Sequence, residues 1–310
     1  MKEDIRQSLL KAGAIAVGFA QGGEIDPDVH KDYVEWIGEG RHGEMGYLER
    51  HIPLRHHIDH VLQGTKTIIS LAFDYSPGEW RENDFPYIAA YAYGEDYHLL
   101  LRERLKPVIN EFKRIYGGEW RICIDSAPVA ERYWALKSGI GKRGLNGSVI
   151  VKGAGALSFL VEILTTIELE PDRASIGFCK GCRACVKICP TQALKGDGTM
   201  DARRCINYLT IEKRGDFTRE EIELINLDSG YLYGCDRCLR ICPHNGENMH
   251  TNCTQNLFIN KIKDLAIEDI LSLGVEEFKE IFKKSPLLYA GYDRLQRNAM
   301  AIKNKSTGNS

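Results

Sequence analysis

Eight of the ten cysteines in this 310-residue chain fall into two spaced sets, and thiols at such spacing bind metal. The first set runs Cys179, Cys182, Cys185 and Cys189, with Pro190 directly after it. The second is interrupted: Cys205 stands alone, then Cys235, Cys238 and Cys242 follow, again closed by a proline, Pro243. The ligand is the thiolate, and two-residue gaps let one turn of backbone present several sulfurs to one centre. Runs of this spacing with a proline after the last cysteine carry pairs of four-iron clusters, and the fourth cysteine of each run ligates the other cluster. The expected ligands of one [4Fe-4S] cluster are Cys179, Cys182, Cys185 and Cys242. Those of the other are Cys205, Cys235, Cys238 and Cys189. Such a chain moves electrons one at a time.

Zinc sites also use paired Cys-x2-Cys units, but they do not call for the Cys-Pro ending. Disulfides need an oxidising compartment, and the opening MKEDIRQSLL has no apolar run resembling a secretory signal. Cys123 and Cys253 lie outside both sets and read as small buried residues or idle thiols.

The elements that must position this chemistry follow from the apolar pattern. At 310 residues two or three domains are expected. No stretch approaches the eighteen or so apolar residues that span a bilayer, and a cytoplasmic monomer is expected. Formal charge is −2, from 41 basic and 43 acidic residues, so no global field announces a nucleic-acid partner. Residues 1–170 read as an α/β domain: a helix with Ile5, Leu9 and Ala12 on one face, strand-like runs at Ala14–Phe19, Thr67–Phe73 and Trp120–Asp125, and a long helix over Asp96–Tyr116 in which Pro107 predicts a bend or break. Ser126-Ala127-Pro128 predicts the start of a further helix, and Ser148–Val151 with Ser158–Leu169 are expected to complete the sheet. A turn at Glu170-Pro171-Asp172 opens a metal-organised domain over 171–250. It contains an amphipathic piece with Ile222, Leu224, Ile225 and Leu227. A helical segment over 251–310 follows, with a break at Leu273-Gly274 and a polar tail from Lys303. An attached unit about twice the size of a two-cluster domain implies a resident substrate or second cofactor.

Common cofactor motifs do not identify it. Gly153-Ala154-Gly155 lacks the full G-x-G-x-x-G spacing, and Gly40–Gly46 has no Walker ending. His56, His57 and His60 lie in a polar loop without metal-site spacing. Asp28-Val29-His30 begins like the D-x-H-x-x-G cobalamin motif, but Tyr33 occupies the glycine position.

Several separate segments together resemble the epoxyqueuosine reductase family, cobalamin and iron–sulfur enzymes that finish queuosine synthesis on tRNA. These are Gly43-Glu44-Met45-Gly46-Tyr47-Leu48 with Arg50; Tyr93-Gly94-Glu95-Asp96-Tyr97-His98; Asp125-Ser126-Ala127-Pro128-Val129-Ala130-Glu131-Arg132; Arg204-Cys205-Ile206-Asn207-Tyr208-Leu209-Thr210-Ile211-Glu212; Gly234-Cys235-Asp236-Arg237-Cys238 through Cys242-Pro243-His244-Asn245; Ser285-Pro286-Leu287; and Gly291–Asn298. The likeness covers nearly the whole chain. Gly141-Lys142-Arg143-Gly144-Leu145-Asn146 departs from the family's G-W-x-G-K-N. The chain also ends where some relatives continue into a helical-repeat domain, so tRNA contacts from such a module are not expected.

The resemblance implies an α/β cobalamin-binding domain, a ferredoxin-like domain with two [4Fe-4S] clusters, and a short helical C-terminal segment. It implies reduction of an epoxide to an alkene with two electrons and two protons, expelling water. It assigns Asp125 as proton donor, and Arg50, Tyr97, Asp125, Asn207, Tyr208 and Asp236 as cobalamin contacts. Burial would raise the Asp125 pKa and a following helix N-terminus would lower it; a working acid requires burial to win. The implied partners are a tRNA anticodon loop and an external low-potential electron donor. A phosphate-tracking face is expected from Arg203, Arg204, Lys213, Arg214, Lys283, Lys284, Arg294 and Arg297. The competing readings are a non-catalytic ferredoxin-type electron carrier and a dehalogenase-like corrinoid reductase. The former has no need of a substrate-side acid, and the latter commonly carries a twin-arginine signal that this N-terminus lacks.

Overall fold

The computed structural model describes residues 1–77, 87–175, 177–226, 230–245 and 266–306. Helix α1 (Lys2–Lys11) leads into strand β1 (Ala16–Gln21), and helices α2 (Pro27–Gly38), α3 (Gly46–Arg50) and α4 (Ile52–His56) bring the chain to β2 (Thr67–Asp74). A two-residue strand, β3 (Tyr87–Ile88), precedes the long helix α5 (Tyr97–Tyr116). After it come β4 (Trp120–Cys123), α6 (Glu131–Lys137), β5 (Gly141–Arg143), β6 (Val149–Val151) and β7 (Ser158–Thr165). The cysteine-bearing region holds α7 (Ala184–Ile188), α8 (Ile206–Ile211), α9 (Arg219–Asn226), β8 (Tyr231–Tyr233) and α10 (Arg237–Arg240). Four more helices close the described chain: α11 (Ile267–Ser272), α12 (Val275–Phe282), α13 (Leu287–Ala290) and α14 (Tyr292–Ser306).

The main sheet has four strands in the order β1-β2-β7-β4, and each neighbouring pair is antiparallel. Strands β2 and β4 therefore run the same way with β7 between them, so β2-α5-β4 is a crossover with a strand inserted. Strand β2 is buried along its whole length because both faces are covered. Ile69, Leu71 and Phe73 pack with α1 and α5 residues Leu9, Leu101, Leu105 and Ile109, while Ile68 packs with Val129 and Trp134 on the other side. That two-sided burial explains why the run shows no polar alternation.

Three sequence expectations change. Val149–Val151 pairs with Gly141–Arg143 in a separate ribbon and does not join the main sheet. Helix α5 runs unbroken through Pro107, which lies on its exposed face, where water can satisfy the carbonyl that proline leaves unpaired. The helix expected at Ser126-Ala127-Pro128 begins only at Glu131, so Asp125 stands in an open loop and does not cap it.

A second core joins Ile88 and Ala92, Ile211, Leu232 and Tyr233 to Phe278, Phe282, Leu287, Leu295 and Ala299. Strand β3 pairs in parallel with β8, and buried Asn298 donates to the carbonyls of Thr210 (2.8 Å) and Leu232 (2.9 Å). The C-terminal helices and the 87–92 segment thus share one core with the cysteine-bearing region. Leu227 and Cys253 lie outside the described residues.

The turn at Glu170-Pro171-Asp172 is fastened back to the first helix. Asp172 accepts from Lys2 Nζ (2.7 Å), from Arg6 (2.8 and 3.1 Å) and from the Phe19 amide (3.1 Å). Burial acts to raise its pKa, but the bonds from Lys2 and Arg6 outweigh that and hold it below the ordinary carboxylate value. Asp172→Asn is expected to lower stability by about 1–2 kcal/mol near neutral pH. A depressed folded pKa gives stability that is present above the unfolded value and lost as pH falls through the folded one, so the difference between the two chains should shrink in acid. Chemical denaturation at pH 7 and pH 3 measures it.

Candidate active site

The structure gathers the cysteines as two foursomes. Cys185, on α7, feels the charges of Cys179, Cys182 and Cys242; Cys238, on α10, feels those of Cys205, Cys235 and Cys189. Helices α7 and α10 pack together, which brings the two runs side by side. Burial pushes the Cys185, Cys205, Cys238 and Cys242 thiols up, and the neighbouring sulfurs add to this. Their thiolate forms would repel one another, so the four sulfurs make a donor set that a cationic centre stabilises. Among the described residues no three Cys, His, Asp or Glu side chains gather tightly enough for a single ion, so each foursome is spread more widely than one ion's ligands.

The Gly141–Asn146 segment braces both foursomes, a role its sequence did not announce. The Arg143 carbonyl accepts from the Cys179 amide (2.8 Å), and Asn146 Nδ2 donates to the Cys238 carbonyl (3.2 Å). Asn245, just past Cys242-Pro243, accepts from the Ala156 amide (3.0 Å) and lies so close against Gly155 (φ 72°) that it leaves no room for a side chain there.

On the sheet unit, Asp125 is the centre of a titratable cluster. Its φ is 50°, a left-handed conformation that Asp tolerates better than most residues. The loop is held there by its amide, which donates to Glu131 Oε1 (2.7 Å) at the first turn of α6. Tyr97 Oη donates to Asp125 Oδ2 (2.8 Å), and His98 Nε2 stands 3.5 Å from the same oxygen. The Tyr97 ring is stacked on Phe159 of β7 at 4.2 Å, which fixes where its hydroxyl points. The Asp125 side chain is 64% exposed, yet charged and aromatic groups from several elements surround it. Tyr47, Glu131, Arg132 and Glu212 all lie within its electrostatic reach.

Burial works to raise the Asp125 pKa, but hydrogen bonds from His98 and Tyr97 and the charges of His98 and Arg132 outweigh it and hold it below the ordinary value. Glu131 goes the other way: burial and the Asp125 charge push it up to about 8. Burial would lower His98, but hydrogen bonds to Asp125 and Asp96 raise it to about 9. The protons near this carboxylate at neutral pH therefore sit on His98 and Glu131. Of the two opposing effects expected at Asp125, burial does act to raise it, but the lowering comes from His98, Tyr97 and Arg132 in place of a helix N-terminus, so Asp125 can serve as the acid only if a neighbour supplies its proton.

The expected cofactor contacts separate into two groups. Asp236 is 8% exposed; its Oδ2 accepts from the Ala90 amide (2.5 Å), and its Oδ1 has no hydrogen-bond partner among the described residues. Tyr91, next to Ala90, meets the Tyr97 ring edge-on at 6.3 Å. A continuous path thus leads from Cys235 and Cys238 through Asp236 and Tyr91 to Tyr97 and Asp125. Asn207 lies beside it, its Oδ1 3.3 Å from where a Cβ on Gly234 would be. Tyr208 is turned elsewhere: it is buried, and its hydroxyl accepts from the Glu44 amide (2.8 Å) against Gly43. Arg50 is exposed at the end of α3.

Most of the expected phosphate-binding cations are engaged within the protein. Arg297 donates to the Lys213, Gly215 and Leu209 carbonyls, and Arg294 to those of Ala290, Ile211 and Tyr289. Arg203 pairs with Asp201, Arg204 with the Thr191 carbonyl, Lys213 with Glu44, Lys283 with Glu280 and Lys284 with Glu95. An arginine fork spent on carbonyls holds the fold and has little left to offer a phosphate. Glu131, His98, Tyr47 and Glu212 all stand in the motifs that carry the family resemblance, but their place around Asp125, like that of Tyr289 beside Glu212, comes only from folding.

Fold and site together define an iron–sulfur oxidoreductase whose titratable centre lies on a separate sheet unit. A family model described as 4Fe-4S double cluster binding domain matches residues 178–245, and one described as epoxyqueuosine reductase QueG, DUF1730 matches residues 55–126. The epoxyqueuosine reductase of Cyclobacterium marinum is 31% identical over 98% of this chain and 97% of its own length. The solved structure of epoxyqueuosine reductase from Streptococcus thermophilus superposes with a TM-score of 0.84 at 30% identity, covering 97% of this chain and 80% of that one. A crystal structure of an epoxyqueuosine reductase with an epoxyqueuosine-modified tRNA-Tyr stem loop superposes with a TM-score of 0.84 at 26% identity, with the same coverage. The chain belongs to the epoxyqueuosine reductase family.

Proposed function

We propose that this chain reduces epoxyqueuosine to queuosine in tRNA. The observation that carries the reading is a carboxylate–imidazole centre at Asp125, joined by a packed path to a cysteine foursome, in a chain that matches this family end to end. The reaction takes an epoxide, two electrons and two protons to an alkene and water. An alkoxide is a poor leaving group, so a positioned acid speeds its departure.

The eight cysteines would hold two [4Fe-4S] clusters in the foursomes described above. Asp236 and Asn207, beside the second foursome, and Tyr97 with Asp125 would hold cobalamin between them. Asp236 Oδ1, buried and without a partner among the described residues, is an acceptor suited to a carboxamide N–H, and Asn207 adds a second amide-binding group. When bound, cobalamin supplies one-electron chemistry that the protein side chains cannot. This chain's own residues hold the ring, position the epoxide over Asp125 and deliver protons at Asp125 Oδ2. Tyr97 orients that oxygen. Exposed Tyr289, whose hydroxyl lies 3.2 Å from a Glu212 carboxylate oxygen, offers a face on which an unstacked base of the anticodon loop can rest. No described helix is long and apolar enough to cross a membrane. A low-potential external donor would supply the electrons.

The test is conversion of epoxyqueuosine-containing tRNA by the reduced holoprotein, followed by nucleoside mass spectrometry. Queuosine is the expected product. A purified chain that binds its iron but neither cobalamin nor modified tRNA would favour an electron carrier instead.

A further inference from the structure

The reaction consumes two protons, and Asp125 can hold only one at a time. Beside it the structure sets an imidazole between two carboxylates. Asp96, the residue before α5, accepts from the His98 amide (2.9 Å), and the same Oδ1 lies 2.7 Å from His98 Nδ1. Asp96 is itself held from behind by its amide, which donates to the Lys284 carbonyl (2.7 Å). With Nδ1–H given to Asp96, the other ring nitrogen faces Asp125 Oδ2 at 3.5 Å. The Tyr97 ring is stacked on the imidazole at 4.1 Å and keeps it in that orientation.

We propose that Asp96, His98 and Asp125 form a proton relay in which His98 recharges Asp125 after each proton it gives away. The Nε2–H bond breaks and an O–H bond forms at Asp125 Oδ2. The ring becomes neutral, keeping Nδ1–H on Asp96, and the Asp125 charge is discharged with it. No electrons move, and the ring regains its proton from solvent. His98 acts through Asp125 and is a positioning residue for the proton. The identity of the final acceptor rests on the function proposed above; the relay rests on this geometry.

Asp96 and Asp125 act on the ring directly, and the charged and titratable groups around those two and their partners come from the neighbouring elements. Together they are Asp96 and Tyr97 at the start of α5, Asp125 in its loop, Glu131 and Arg132 on α6, Arg55 on α4, Tyr47 on α3, Glu212 after α8 and Tyr233 on β8. Burial lowers His98, but Asp125 and Asp96 outweigh it and raise the ring to about 9, so it is charged at neutral pH and discharges as pH rises through that value.

Two measurements test the relay. In the purified chain labelled with nitrogen-15 histidine, the His98 ring should stay charged until about pH 9, and Asp96→Asn should move its titration at least about one pH unit lower. This needs neither substrate nor turnover, so it judges the relay even if the proposed function fails. In turnover, His98→Gln should slow the reaction about tenfold to a hundredfold, leave the KM for tRNA unchanged and move the alkaline limb of the pH profile to lower pH. A ring that titrates near the ordinary histidine value in the unaltered chain would overturn the proposal. So would a His98→Gln profile whose alkaline limb does not move.

Discussion

Asp125→Asn is expected to lower turnover by about a hundredfold to ten-thousandfold, the range of a lost general acid, while iron and cobalamin content stay as they were. An amide keeps the shape of the carboxyl group but has no acidic proton to give. The backbone should not confound the result, because asparagine also tolerates the φ of 50° found here. The amide N–H bond to Glu131 is likewise retained. A second readout follows from electrostatics. His98 loses one of the two carboxylates that raise it from the ordinary value to about 9, and Glu131 loses a charge that helps push it to about 8. Both groups should therefore titrate lower in the variant, with burial still keeping Glu131 above the usual range. Wild-type turnover by Asp125→Asn would remove this residue as the essential acid.

Cys205→Ser should be nearly as damaging, by a different route. The holoprotein is expected to hold about eight irons and eight acid-labile sulfides in two clusters, and the variant about half of each. Metal binding contributes directly to the folding of such a region, so the loss should also lower the thermal midpoint. Cys205 precedes α8, whose residues Ile206, Tyr208, Leu209 and Ile211 are buried, so disorder at this ligand should spread into that packing. Cys189→Ser should deplete the cluster that Cys205 serves, although its sequence neighbours Cys182 and Cys185 serve the other. Cys123→Ser should leave iron content unchanged, because Cys123 lies in β4 beneath the Asp125 loop, with burial pushing its thiol up to about 12. Iron and sulfide analysis with visible absorption checks all three variants. Recovery of about two zinc ions per chain instead would reject the iron–sulfur assignment.

Much of the site was legible because it is encoded at short range. Two-residue cysteine gaps need only one turn of backbone to present most of a ligand set, and Asp125 through Arg132 place the aspartate and Glu131 six residues apart with Pro128 between them. The Tyr97–His98 pair is equally local, and the amphipathic face of α5 appears directly as Leu101, Leu105, Ile109 and Phe112. The strands β1, β2 and β7 could be found from their apolar runs. Their antiparallel order could not, since a strand buried on both faces shows no period from which pairing might be read. Side-chain commitments were equally hidden. Arg294 and Arg297 look like cations free for phosphate until the fold places carbonyls of α8 and the 213–215 loop around them.

The sequence alone carried two four-thiolate sets and a string of motifs that resemble one tRNA-modifying family, because cysteine spacing and motif residues are read directly from the order of the chain. Tertiary structure decided which residues share a proton. Asp96 and His98 come from the start of α5, Asp125 from the loop after β4 and Glu131 from α6, and only their packing around the end of the sheet brings them together. The physical reason is range. Thiolate spacing is set by covalent geometry, whereas a proton's location depends on charges and burial supplied by every element folded around it.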